Sequence, residues 1–432
     1  MAIIAQILFI ILTATALSLF GKNLLKIRRN ILIGKAGFLN DQKARRWKNV
    51  FLLALGQKKM FKKPIVAILH LILYVGFIII NIELLEIMAD GILGTHRIFE
   101  SYFEKFGFAS LYNFIINSFE ILAALVFVAC ILFLARRNML KLKRFMSNDL
   151  AGWPRSDANY ILIAEIILMG LFLVMNAADT QTHFIISSSL QPLFSGINTN
   201  TIFIIEHTAW WLHIIGIYIF MNYLPYSKHL HIILAFPNTY YAPLTPKGMM
   251  HNMPEVQNEV LYAMQPELAP TGAAAPASFG AKDVMDLSSK NLMDAYSCTE
   301  CGRCTAACPA NITGKLLSPR KIMMATRDRL EEVGKNIDLH KNFVPDNKSL
   351  LHDYITVEEL RACTTCNACV EECPISISPL DIIMELRRSL VMEESNAPQE
   401  WNSMFSNIEN NFAPWKFSPD DRDAWITNSR LI

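Results

Sequence analysis

Eight of the nine cysteines fall in two short runs, CTECGRCTAACP at 298–309 and CTTCNACVEECP at 363–374. Both read C-x2-C-x2-C-x3-C-P, the spacing that holds cubane iron-sulfur clusters. Three close thiolates wrap one cube, and the fourth, followed by proline, turns away to the other. The expected ligand sets are therefore Cys298, Cys301, Cys304 and Cys373 for one [4Fe-4S] cluster, and Cys363, Cys366, Cys369 and Cys308 for the second. Zinc knuckles use two spaced pairs and need neither the third interval nor the proline. Disulfides do not fit a reducing compartment. Such clusters move single electrons, and the surrounding sequence has no nucleophile, phosphate loop or catalytic carboxylate pair.

Histidines form the second set. His70 lies six residues into an apolar run that starts at Pro64, about 9 Å along a helix, where a histidine is expensive in lipid and points to function. His229 and His231, after the fifth apolar run, fall at the same depth. Two imidazoles on different helices can ligate a b-type haem from both sides, which favours electron transfer over oxygen chemistry. His213, 18 residues before His231, lies near the far face, where a second haem or a quinone site is expected. Glu83, Glu86, Glu120, Glu165 and Glu206 are candidates to pass protons to a quinone, though several sit near span ends where solvation explains them. Cys130 reads as a packing residue.

These residues need elements to hold them. The chain is 432 residues long, 52% hydrophobic and only 18% charged, the balance of a membrane protein with a soluble part. A net charge of +2, with no basic stripe, excludes a nucleic-acid binder. Five runs long enough to span a bilayer lie at about 2–20, 65–88, 110–135, 159–178 and 201–224. Thirteen Lys or Arg lie between Lys22 and Lys63 and six between Arg136 and Arg155. The positive-inside rule then puts the N-terminus outside and everything after the fifth span in the cytoplasm. The first run is not expected to be a signal peptide, since its basic residues follow it.

The expected fold is all-α: a five-helix transmembrane cytochrome b-like bundle (1–235), a linker (236–283) that includes the Pro/Ala-rich Gln265–Gly280, a two-cluster helical ferredoxin domain (284–395) and a tail (396–432). The 54 residues between Cys308 and Cys363 carry helical sequence such as SPRKIMMATRDRLEEV. Small Gly302, Ala307 and Ala368 suit places where chain closes on a cluster. The tail holds Trp401, Phe405, Phe412, Trp415 and Trp425, and either wraps the domain or docks a partner.

At DAYSCTECGRCTAACPA, LSPRKIM and LPYSKHLHI the sequence resembles membrane-bound iron-sulfur proteins related to heterodisulfide reductase. In these a cytochrome b like the gamma subunit of respiratory nitrate reductase is fused to a helical ferredoxin. The resemblance implies that His70 and His231 ligate a cytoplasmic-side haem b and that His213 corresponds to an outer-haem ligand. The family's partner for His213, ten residues after His70, is Ile80 here, so the outer haem needs His96, His183 or another residue in its place. It further implies menaquinone or another quinone in a bacterial inner membrane. A separate cytoplasmic subunit, a CCG-domain protein or a flavoprotein, would carry the final chemistry. The alternatives are a haem-free membrane-anchored ferredoxin and a redox sensor.

Overall fold

The computed structural model describes residues 2–179, 182, 184–250, 252–270, 278–416 and 418–429. Among them there is no strand, only two isolated bridges, so the fold is all-α as expected. The apolar runs form five long helices: α1 (Ala2–Leu32), α2 (Pro64–Leu93), α3 (Ala109–Asn138), α4 (Trp153–Ala178) and α5 (Thr199–Tyr223). Each is long and apolar enough to cross a membrane. Their outward faces carry Ile3, Ile7, Ile65, Phe114, Ile167 and Phe203 exposed, as lipid requires. α4 packs on α3 and α5, α2 on α3, and α1 lies against α2 and α5.

Three of the helices are 30 or 31 residues long, about 45 Å, against a hydrocarbon core of about 30 Å. The surplus is used. The end of α1 leaves the bundle and enters the second domain, where Ile27 and Ile31 join Leu287, Leu292, Ile322, Leu330 and Leu386 in one core. Arg29 and Lys26 meet Asp338 there, and Asn30 donates to Tyr296 Oη at 2.9 Å. Beyond α1, Lys35 pairs with the chain at Leu287–Ser289 through two backbone bonds of 2.8 Å. The approach is so close that a Cβ on Gly34 would lie 2.6 Å from the Leu287 carbonyl.

After α5, the helix α6 (His231–Tyr240) crosses the boundary expected at 235, and a short helix at Pro254–Met264 lies within the stretch expected to be linker. The second domain is then built from α7 (Ser289–Ser297), α8 (Arg303–Ala307), α9 (Pro319–His340), α10 (Ala368–Glu372) and α11 (Pro379–Arg388). α9 occupies the long insert between the two cysteine motifs. α12 (Gln399–Asn411) and the tail beyond it leave Trp401, Phe405, Phe412, Trp415 and Trp425 exposed.

Candidate functional site

The two cysteine motifs fold alike. In each, the second residue of the first x2 pair and the residue after the second cysteine adopt left-handed backbone: Glu300 and Gly302 in one, Thr365 and Asn367 in the other, at φ 53°, 70°, 55° and 60°. The second of each pair opens a one-turn helix, α8 or α10, that carries the third cysteine. This bends the chain around a single centre. Glycine is required at 302, because a Cβ there would stand 2.5 Å from Arg320 Nη1. Asn367 is the other residue type that tolerates this conformation.

The fourth cysteine of each motif crosses over. Cys373 stands beside Cys301 and Cys304, and Cys308 beside Cys363 and Cys369. Burial, with crowding by neighbouring thiols, pushes Cys298 and Cys369 up to about 12 and Cys373 to about 11. Binding to iron offsets this cost, since a metal takes the thiolate. Among the described residues no three Cys, His, Asp or Glu close on a point that would hold a single metal ion. Four thiols per set, drawn from both motifs, are the donor set that a four-iron cube takes. Backbone N–H groups of Thr365 and Ile377 point at Cys363 and Cys373 Sγ at 3.4 and 3.3 Å, the kind of bond that tunes a cluster's potential.

His70 and His231 face one another with ring centroids 6.5 Å apart. Two metal–nitrogen bonds of about 2 Å, with the ring radii added, put the two axial imidazoles of one iron roughly 6 Å apart. Each ring also has its Nδ1 occupied: His70 against Gln57 Oε1 and His231 against the Lys228 carbonyl, both at 3.0 Å. Such outer contacts fix the tautomer and leave Nε2 for a metal. Burial lowers the His231 pKa, keeping the ring neutral as a ligand must be. His229 stands 5.7 Å from His231, but its ring edge is turned among Phe77 and Phe220 and its Nε2 has no partner. Gln57 escaped the sequence reading because it lies in a basic loop and reaches His70 only through a left-handed turn.

One cavity of about 580 Å³ joins these groups. It runs from His213 past His70 and His231 to Cys301, Cys304 and Cys373. Between the histidines and the cysteines it is lined by Arg136, Arg137, Arg144 and Arg303, and Arg137 Nε is buried without a partner. Burial pulls the Arg144 guanidinium below its ordinary pKa, with its arginine neighbours adding to the effect. A cationic lining that faces an otherwise apolar space suits the carboxylate edge of a haem. Lys228 ties the two halves together: it bonds Glu300, between Cys298 and Cys301, at 2.7 Å, while its carbonyl holds His231.

His213 donates from Nδ1 to the Leu168 carbonyl at 3.0 Å, so its Nε2 is also free. No second imidazole joins it among the described residues. Ile80 lines the cavity, and His96 lies 3.8 Å from Asp179 and from Glu206, half exposed. His183 lies outside the described residues. The glutamates divide. Glu120 caps the backbone of Ile186 and Ser187, Glu86 accepts from Tyr112 and Phe99, and only Glu83 and Glu165 border the cavity. Cys130 is fully buried.

A 4Fe-4S dicluster domain matches residues 297–377. Over 97% of its length the chain is 27% identical to "Probable iron-sulfur-binding oxidoreductase FadF" of Bacillus subtilis, of which it spans 60%. Over 90% it is 24% identical to the "EtfAB:quinone oxidoreductase" of Syntrophomonas wolfei, of which it spans 54%. A 36% share is 33% identical to "Probable membrane-anchored ferredoxin" of Chromohalobacter salexigens, spanning 25% of that protein. Further relatives are heterodisulfide reductase subunits of Methanosarcina. The resemblance to heterodisulfide-reductase-related iron-sulfur proteins is thus borne out, and the chain spans little more than half the length of the first two relatives. No solved structure matches it.

Proposed function

We propose that the chain is the membrane electron-transfer subunit of a quinone-linked iron-sulfur oxidoreductase. Cys298, Cys301, Cys304 and Cys373 would hold one [4Fe-4S] cluster, Cys363, Cys366, Cys369 and Cys308 the other, and His70 and His231 a haem b. The observation that carries this reading is one cavity bordered by His70, His231 and all four of the first set's cysteines, so both sites open onto the same space. Bound there, haem and clusters supply reversible one-electron steps. The chain orients them, neutralises their anionic edges with Arg136, Arg144 and Arg303, and excludes water. Quinone is the lipid-side substrate in this reading, in line with the name of the Syntrophomonas relative. A cytoplasmic flavoprotein or CCG-domain subunit is the other partner.

Both basic segments touch the ferredoxin domain, through Arg29 to Asp338 and through Arg144 and Asp149 to Arg320. By the positive-inside rule this face is cytoplasmic, which sets the first helix with its N-terminus outside, in a bacterial inner membrane. A second reading, a haem-free anchored ferredoxin, is favoured by the Chromohalobacter relative.

The test is a dithionite-reduced minus oxidised spectrum of anaerobically purified protein, with haem and iron content. One haem with eight cluster irons is expected. His70→Ala should abolish the haem band and keep the clusters, and both His70→Ala and Cys301→Ser should stop quinone-linked electron transfer. Iron without haem selects the anchored ferredoxin, and unchanged electron transfer in both folded variants overturns the proposal.

A further inference from the structure

The half of the cavity furthest from the clusters contains polar groups that neither the haem nor the clusters use. Glu165 sits midway along α4 and borders the cavity, with no hydrogen bond or ion pair among the described residues. His213, 3% exposed, borders it too. Glu83, also 3% exposed, has one carboxyl oxygen, Oε2, buried without a partner. Most of the rest is apolar, with Ile80, Val126, Leu168 and Phe172, and Asn81 adds one more polar side chain. An apolar pocket with a few convergent polar groups is the form of a small-molecule site, and an ionisable group at this depth marks function.

Two further features bear on its use. Phe77 and Ile78 line the cavity and are also 37% and 47% exposed on the outer surface of α2, the side from which a lipid-borne ligand would come. Glu83 Oε1 meets Arg97 at 3.5 Å, Arg97 meets Asp179 at 3.4 Å, and Asp179 lies 3.8 Å from the half-exposed His96. This file of ionisable groups leads from the cavity to the face opposite the ferredoxin domain. Ile80 lies ten residues beyond His70 on α2, about 15 Å further from the clusters.

We infer that this outer half is the quinol headgroup site, with His213 Nε2 and the Glu165 carboxyl as the two groups that exchange its protons. The inference rests on the quinone-linked reading and gives that reading its pocket. The tautomer matters. With Nδ1–H donated to Leu168, Nε2 offers a lone pair, which accepts from a quinol hydroxyl, and the Glu165 carboxylate accepts from the other. When the quinol is oxidised both O–H bonds break. One proton goes to His213 and one to Glu165. The two electrons would leave one at a time through the haem that His70 and His231 would hold and the clusters that the cysteines would hold, with the cytoplasmic partner as final oxidant. In the direction of quinone reduction the same two groups return the protons, and the partner is the reductant.

The experiment uses the full chain in detergent and a short-chain naphthoquinol. Binding is measured by titration calorimetry under argon on protein reduced beforehand, so that no turnover occurs, and haem reduction by the quinol is followed by stopped flow on oxidised protein. Glu165→Leu and His213→Leu, which remove the acceptor, should each weaken binding about tenfold, the worth of one hydrogen bond, and slow haem reduction, with haem content and the haem band unchanged. If the parent protein binds and both variants bind equally well, the site is elsewhere, and the quinone reading survives. If His213→Leu loses a second haem, His213 is a ligand and the inference is overturned. If the parent protein neither binds the quinol nor takes electrons from it, the quinone reading falls and the inference with it.

Discussion

Gln57 shows how much of a cofactor site rests on a residue with no chemistry of its own. Its side chain is 5% exposed and its backbone is held at φ 48° so that Oε1 meets His70 Nδ1. Removing such an outer partner typically costs tenfold to a hundredfold in metal affinity. In the proposed reading Gln57→Leu, similar in size, should therefore weaken haem affinity by about that factor when apoprotein is titrated with haem, with cluster iron unchanged. Unchanged affinity would take Gln57 out of the site. The cysteine motifs were legible because their spacing is written in consecutive residues, and the meeting of His70 with His231 because depth in a bilayer can be counted from span ends. Gln57 was not, since nothing local distinguishes it. The resemblance already named His231 over His229, and the fold adds the Nδ1 partner of that ring, the Lys228 carbonyl.

Among the elements, the connection between α3 and α4 does more than link spans. Asp149 forms a two-oxygen bridge to Arg320, at 3.0 and 2.6 Å, while Arg320 Nη1 donates to the Arg144 carbonyl at 2.7 Å. Arg320 is fully buried and opens α9, the helix that spaces the two motifs, so this contact docks the ferredoxin domain on the bundle. Asp149→Ala would leave a buried guanidinium without its counter-charge, a loss of about 3–5 kcal/mol. It should appear as a lower melting temperature and faster proteolysis of residues 284–395. Leucine at both positions should recover much of this, because replacing a buried ion pair with apolar side chains is often close to neutral. Burial pushes the Asp149 carboxyl up, but the Arg320 bonds outweigh it and hold the pKa below its ordinary value. The contribution of this pair is thus complete at neutral pH, and is lost only as the pH falls below about 4. Hydrophobic runs predicted the five spans, but this docking was invisible, because Asp149 and Arg320 are 171 residues apart and neither lies in an unusual pattern. The extension of α1 into the second core was hidden for a related reason. Its last turns are basic, and basic residues read as a loop until Asp338 is placed opposite them.

The molecule as a whole orders its electron carriers by exposure. All four cysteines of the first set border the internal cavity, and Cys369 of the second does too, but Cys366 is the exposed one among the eight, so in the proposed reading the second cluster is the one a soluble partner would approach. The tail lies exposed too, with Trp401 against Arg361 at 5.9 Å, only two residues before Cys363. Aromatic side chains left uncovered suit a protein partner better than water. This leads to an asymmetry. Cys366→Ala should disable entry from a protein donor while leaving the lipid-side route to the haem intact. Mixed with a reduced flavoprotein donor too large to enter the cavity, the variant's haem should stay oxidised on the timescale in which the parent's is reduced. Naphthoquinol should reduce the haem in both at equal rates. Equal reduction by the flavoprotein in parent and variant would mean that electrons bypass the exposed cluster. Loss of both routes would mean that the second motif is needed to keep the haem site folded, and that the two ends of the molecule do not act as separable terminals.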